Sequence, residues 1–256
     1  MTEAIASWFY NLGFFVKILK GVGRFIHHGQ AARRVLIMQI LFTFIEALGI
    51  TTLLALGIGA AVQIIGMTSL AQFSQEMLIY PLLITIITRE LGPLLIAFII
   101  IARSATAIAT EMAGMVISHE VEAYISVGID PIEYLAVPRF LGVTISVLLL
   151  NIFFSISGLA GSYMVAQIFY PMPAQVYFGN IMLSLGLQDI VFSIIKSIIF
   201  GMIISVVALT RGLSVERSST EIPIAGLRAV GASFGSCIIA TIILSALFYM
   251  TVGFNF

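Results

Sequence analysis

The chain has 256 residues, of which 60% are hydrophobic and only 9% charged. Soluble domains carry roughly 25% charged residues, so a water-exposed shell around one large core is excluded and most of this surface must face lipid or other buried helices. Twelve Lys+Arg balance twelve Asp+Glu, which removes a basic nucleic-acid footprint, and the single Cys237 removes an internal disulfide framework and a multi-cysteine metal site.

In chain order, residues 1–26 come first. Ile5, Trp8, Phe9, Leu12, Val16, Leu19 and Ile26 recur at helical spacing, with Lys17, Lys20 and Arg24 on another face. One apolar face, a tryptophan and a basic stripe predict a helix lying in the membrane interface. The competing reading, a weak first crossing, would bury Lys17 and Lys20 in hydrocarbon. Residues 1–34 therefore form an interfacial amphipathic helix and linker, and residues 35–256 a five-span domain. A crossing takes roughly 20 residues, and apolar stretches at about 35–65, 78–107, 138–168, 190–209 and 229–252 supply five. Between the third and fourth, Pro171 and Pro173 precede a short amphipathic piece.

Basic residues set the predicted orientation, because Lys and Arg accumulate in cytoplasmic loops. Lys17, Lys20, Arg24, Arg33 and Arg34 lie before the first span. Arg103 and Arg139 border the second loop, and Arg211, Arg217 and Arg228 fill the fourth. The loops at 66–77 and 169–189 hold neither Lys nor Arg. The N-terminus is thus placed in the cytoplasm and the C-terminus across the membrane. Small residues at four-residue spacing (Ala105, Ala109 and Ala113; Ser157 and Gly161; Gly231 and Gly235) let helices approach closely in lipid.

Charged groups inside spans are costly, so each is a functional candidate. Glu46 lies in the first span, Arg89 and Glu90 in the second, and Lys196 in the fourth. The bland alternative is that these side chains snorkel to an interface. Facing a common cavity, they would hold a phosphate headgroup while apolar walls hold acyl chains. Gly92 and Pro93 follow Arg89 and Glu90 and predict a bend, and Gly49, Gly57 and Gly59 weaken the first span.

The second loop reads Ser118 to Pro131. Val121, Tyr124 and Ile125 share a helical face, Glu120 and Glu122 are polar, and Gly128 and Pro131 end the helix. A short amphipathic helix between two spans is a docking element. Glu122, Ala123 and Gly128 reproduce the Glu-Ala-x-x-x-x-Gly core of the loop with which many ABC importer permeases contact their ATPase. His27, His28 and His119 all lie outside the spans without further ligands at zinc spacing, so no metal site is expected. No Gly-x-x-x-x-Gly-Lys-Ser/Thr loop occurs, so ATP and Mg would be bound by a partner chain, and no Gly-x-Ser-x-Gly elbow occurs.

The run from Arg89 to Arg139 resembles the MlaE/YrbE permeases, the membrane subunits of MCE-associated ABC lipid transporters. The likeness rests on Arg89-Glu90-Leu91-Gly92-Pro93, Ala102-Arg103, Ala107, Glu111-Met112, Met115, Val127-Gly128-Ile129-Asp130-Pro131 and Val137-Pro138-Arg139. Asp189, Ile195-Lys196-Ser197, Phe200-Gly201 and Gly212 fit downstream; Gln39, Phe42-Thr43, Glu46-Ala47-Leu48 and Gly59 fit upstream. The chain departs from the family at Gly49, where Pro is common, at His119-Glu120, where Glu-Gln is common, and at Thr241, where some members carry an acid.

The resemblance implies an all-α membrane protein with an interfacial N-terminal helix, five transmembrane helices and a cytoplasmic coupling helix between spans two and three. It implies a homodimer in the inner membrane with a periplasmic C-terminus, a cytoplasmic ABC ATPase dimer bound through Glu120, Glu122, Ala123, Tyr124 and Gly128, and a periplasmic MCE-domain oligomer. Phospholipid would occupy a cavity near Arg89, Glu90 and Lys196. From their spacing, eight positions or about two turns apart on nearly one face, Arg103 and Glu111 are expected to brace the inner half of the second span as an ion pair. The alternatives are an intramembrane lipid-modifying enzyme and a non-ABC channel or scaffold.

Overall fold

The computed structural model describes residues 2–25, 30–71, 76–169, 171–216 and 218–252, and among these the ordered elements are all helical. Helix α1 covers Thr2–Phe25 and α2 covers Gln30–Ala71. Helix α3 runs over Ile79–Ile117, α4 over Glu120–Ser126 and α5 over Ile132–Phe169. Helices α6 (Ala174–Ser184), α7 (Leu187–Leu213) and α8 (Glu221–Val252) complete the chain. Five of them, α2, α3, α5, α7 and α8, are long and apolar enough to cross a membrane. A long apolar helix therefore stands at each of the five predicted crossings, and a helix occupies each of the three predicted short segments.

Those five run longer than hydropathy suggests, at 42, 39, 38, 27 and 32 residues. Roughly 20 residues cross hydrocarbon, so the surplus projects beyond it. The second span is predicted to stop near 107, yet α3 continues to Ile117 because its small residues still pack. A side chain at Gly212 of α7 would strike Ala109, and one at Gly226 of α8 would press on Thr106 and Thr110.

The interior is built by α3, α5 and α7. Ile87, Ile96, Ile100, Val147, Phe154, Phe200 and Ile204 are fully buried there. Helices α2 and α5 run parallel in backbone contact, with Gly59 against Gly158 and Gly161 against Leu56. The opposite surfaces of α2 and α8 are studded with exposed Leu, Ile, Met and Phe. In water that surface would be untenable; in lipid it costs nothing.

Three stretches widen into π-helix: Ile84–Leu91 and Ile101–Ala105 in α3, and Ile132–Ala136 at the start of α5. The bend predicted at Gly92-Pro93 is absorbed by the first of these. Pro93 offers no N–H and its ring crowds the preceding turn. The Gly92 N–H accordingly reaches back to the Ile87 carbonyl. Only glycine fits there, since a Cβ would lie 2.5 Å from that oxygen and 2.9 Å from Asn151 Oδ1.

The bundle has two distinct ends. At one lie α1, α4 and the fourth loop. Arg24 of α1 pairs with Glu133 of α5, and Gly21 packs on Val137. Phe14 and Ile18 of α1 are buried and Lys17, Lys20 and Arg24 are exposed; Val16 and Leu19, on the apolar face expected to lie in the membrane interface, are exposed as well. The side chains of Ile5, Trp8, Phe9, Leu12, Ile26, His27, His28 and Arg33 lie outside the described residues. At the other end α6 folds back over α2 and α5. Its Tyr177 is buried, with the hydroxyl 3.0 Å from both Gln63 Oε1 and Ser162 Oγ. The rings of Tyr80 and Tyr163 pack against it. Burial pushes the Tyr177 phenol up to about 12, so it stays a neutral donor.

Candidate functional site

Two buried cations meet two carboxylates where α3, α7 and α8 converge toward the α6 end. Arg89 and Glu90 are consecutive, and both turn toward α7 and α8 from the widened stretch of α3. Arg89 Nη1 lies 3.1 Å from Asp189 Oδ1, and Nη2 donates to the Tyr249 hydroxyl at 2.8 Å. The guanidinium stands 5.0 Å from the ring centroids of both Phe248 and Tyr249, a cation–π arrangement that strengthens as water is removed. Lys196 Nζ donates to Glu90 Oε2 at 2.7 Å and to Ser245 Oγ at 3.2 Å, and the Ser245 hydroxyl donates to Glu90 at 3.0 Å.

The local sequence explains each position. Asp189 stands in the first turn of α7, where an anion is favoured by the helix N-terminus and also accepts the Gly186 N–H at 3.1 Å. Lys196 follows two helical turns later on nearly the same face. Ser245, Phe248 and Tyr249 share a face of α8 at i, i+3 and i+4 spacing.

Arg89, Glu90 and Lys196 are thus gathered in one place. Lys196 is completely buried, and Glu90, with its side chain 26% exposed, is the most open charged member. The charges balance, which a low-dielectric setting demands, because an ion stripped of water needs a partner. Arg89 retains one unpartnered donor, Nε. The chemistry available is electrostatic: a planar guanidinium and an ammonium suited to phosphate oxygens, provided the carboxylates yield. Sequence reasoning placed Asp189 in a family pattern without a partner for Arg89, and missed Ser245, Phe248 and Tyr249. The only local signal for these was a polar pair at i, i+4 late in the last span.

Two expectations are corrected. Arg103 and Glu111 do not pair with each other. Arg103 Nη1 donates to the Glu46 carbonyl at 2.7 Å and its Nη2 lies 3.7 Å from Glu46 Oε2, whereas Glu111 takes Arg139 of α5 at 2.6 and 3.3 Å. Eight positions along a helix amount to about 12 Å of rise and about 80° of rotation, so neighbouring helices offered nearer partners. Glu46 accordingly belongs to the α2–α3 contact and not to the buried cluster.

Helix α4 projects from the other end. None of its residues is buried, and Glu120, Glu122, Ala123 and Gly128 are exposed. Tyr124 is partly buried against the Tyr134 ring, with centroids 5.3 Å apart. Backbone geometry fixes both flanks: His119 has φ 60° and Gly128 φ 78°, the left-handed region that glycine tolerates best. Ser118 donates to Glu120 at 3.0 Å, and His119 Nδ1 lies 2.9 Å from Glu122. Glu120, Ala123, Tyr124, Val127 and Ile129 line a shallow groove of about 350 Å³. Among the described residues there is no cluster of three His, Cys, Asp or Glu that could hold a metal.

The chain is similar to several known proteins. The family described as Permease MlaE matches residues 36–247. A "Probable ABC transporter permease protein" of Rickettsia typhi is 29% identical over 174 residues, covering 68% of this chain and 67% of the relative. A protein of the same description from Synechocystis is 25% identical over 98% of this chain and 95% of its own. The chloroplastic protein TRIGALACTOSYLDIACYLGLYCEROL 1 of Arabidopsis thaliana is 26% identical over 92% of this chain and 70% of its own. The matched stretch begins just inside α2 and ends on α8 between Ser245 and Phe248, so it reaches all five spans, α4, α6 and the four charged residues of the cluster. With a multi-pass helical bundle on one side and that match on the other, this chain belongs to the MlaE permease family.

Proposed function

We propose that this permease moves phospholipid between the inner membrane and a periplasmic MCE-domain partner, as a homodimer driven by a separate ATPase dimer that binds ATP and Mg. The observation that carries the reading is the buried Arg89–Asp189 and Lys196–Glu90 cluster, joining three helices within the spans. A phosphate diester offers Arg89 and Lys196 the same negative oxygens that the two carboxylates now supply. Headgroup binding and carboxylate pairing then compete, which gives the site two states of different lipid affinity.

Force would arrive through α4, which is exposed and flanked by the left-handed His119 and Gly128. The Arg and Lys distribution supports a cytoplasmic position for that end, beside the nucleotide-hydrolysing partner that the name of the relatives, ABC transporter permease, implies. The amphipathic α1 would lie along the same leaflet, and α6 would face the periplasm with the C-terminus. The name of the Arabidopsis relative contains a glycolipid term, which favours a lipid over a water-soluble substrate.

The test is mass spectrometry of lipid retained by the purified permease–ATPase complex. Arg89→Gln paired with Asp189→Asn keeps the cluster neutral while removing the guanidinium. Phospholipid occupancy several-fold below wild type is expected. Equal occupancy in a folded complex would overturn the headgroup assignment.

A further inference from the structure

A second cavity lies on the lipid-facing side of the bundle, away from α8. It measures about 420 Å³ and opens between α5, α6 and α7, a volume within the range of small-molecule sites. Exposed Ile156, Met182 and Ile190 flank its mouth, and Leu159, Phe178 and Ile181 line it further. An occupant must therefore come from hydrocarbon, since two of the three helices at the mouth are spans.

The floor is polar. Thr88, Asn151 and Ser193 are 7%, 2% and 3% exposed. Asn151 Nδ2 donates to Ser193 Oγ at 2.7 Å, and the Ser193 hydroxyl donates to the Thr88 carbonyl at 2.8 Å. That chain leaves Asn151 Oδ1 and Thr88 Oγ1 without partners. A polar atom unpaired at membrane depth is expensive, and such groups call for an explanation. Asn151 Oδ1 can only accept a hydrogen bond. The ester oxygens of a fully acylated lipid are acceptors too and cannot satisfy it; a free hydroxyl can. Net charge is also excluded, because no ionisable side chain lines the cavity.

We infer that this cavity is a binding site for an uncharged lipid with a free hydroxyl group, the hydroxyl donating to Asn151 Oδ1 after a side-chain rotation at Asn151 or Thr88, and the hydrocarbon chain lying along Ile156 and Ile190. The site is separate from the charged cluster and does not depend on phospholipid transport. Its relation to the cluster is mechanical. Thr88 precedes Arg89 on the same widened turn of α3, so occupancy of one side bears on the other.

The test uses the full-length protein in phosphatidylcholine nanodiscs. Two probes are compared: a monoacylglycerol with a diazirine on its acyl chain, and the same molecule with both hydroxyls capped as methyl ethers. After photolysis, labelled peptides are mapped by mass spectrometry. Adducts from the hydroxyl probe should concentrate on residues 151–159 and 178–194, exceeding those from the capped probe by up to about tenfold, the worth of one well-made hydrogen bond. Ile156→Trp, at a lipid-exposed position where folding is not at stake, should fill the mouth and remove the labelling. Asn151→Leu should make the two probes equal. Equal labelling by both probes in wild type would overturn hydroxyl recognition, and labelling spread evenly over all spans would overturn the site. Neither outcome touches the phospholipid reading, whose test is loss of retained phospholipid on changing Arg89 and Asp189.

Discussion

Lys196 has no exposed side-chain area and one carboxylate within reach, while that carboxylate keeps a quarter of its surface open. The pair is therefore asymmetric. Glu90→Gln strands a fully buried ammonium, whereas Lys196→Met strands a carboxylate that is partly exposed and can still turn outward. Breaking a buried pair from one side costs about 3–5 kcal/mol. Glu90→Gln should fall in that range and Lys196→Met clearly below it, with the double variant recovering much of the loss. Thermal unfolding in detergent measures all three. Tyr177 offers a second residue-level prediction. Its folded phenol is raised to about 12 from an ordinary 10.0, so the folded state holds its proton more tightly than the unfolded chain. The contribution to stability is complete below pH 10 and lost as pH rises toward 12. Tyr177→Phe should flatten that alkaline loss in a pH series of unfolding midpoints, and should lower stability by about 1–3 kcal/mol at neutral pH because Gln63 and Ser162 lose a buried partner. Ion-pair partners were the least legible feature of the sequence. Arg89 and Asp189 are 100 positions apart and Lys196 and Glu90 106, and no local pattern encodes such a meeting. Where spacing alone was used, as for Arg103 and Glu111, it failed because adjacent helices were closer than the next turns of the same helix.

At the scale of elements, the widened turn of α3 is the piece on which the cluster hangs. It places Arg89 and Glu90 toward α7 and α8 and lends its Thr88 carbonyl to Ser193. Gly92→Ala would push a methyl group into the Ile87 carbonyl and Asn151, a backbone contact that cannot move aside. A loss of about 1–3 kcal/mol is expected, accompanied by lower lipid retention as Arg89 shifts; unchanged retention would show that the turn does not set the site. Helix α4 tests differently. Gly128 has open space around it but a left-handed φ of 78°. Gly128→Val strains the backbone by about 1–3 kcal/mol in a segment with no buried residue, so the bundle should remain folded. ATPase stimulation in the assembled complex should fall if α4 carries force; full stimulation would remove that role. Glu122→Arg, which reverses charge on the exposed face, checks the same point without altering backbone. The amphipathic character of 120–126 and its glycine stop were legible because both are local. The π-type turns were not, because hydrophobic periodicity averages over one extra residue, and only the Gly-Pro step betrayed a break.

For the whole molecule, composition sufficed to predict lipid immersion and the apolar stretches to predict five crossings, since each crossing is an average over some twenty side chains and tolerates local error. Helix ends were misjudged by up to ten residues, as at Ile117. Hydropathy ends where lipid ends, but the hydrogen-bond ladder continues while small residues such as Ala109 and Ala113 keep finding neighbours. The parallel seam of α2 and α5 carries a consequence for motion. Gly59 meets the Gly158 carbonyl and Gly161 meets Leu56 with no side chain between the two backbones. Two rods pressed together without intervening side chains have nothing to slide over, so they translate as a single beam. Any stroke that enlarges or shrinks the space beside Arg89 must then be made by α7 and α8 against that beam. Gly59→Leu, by wedging the beam apart, should disable transport while leaving the charged cluster intact.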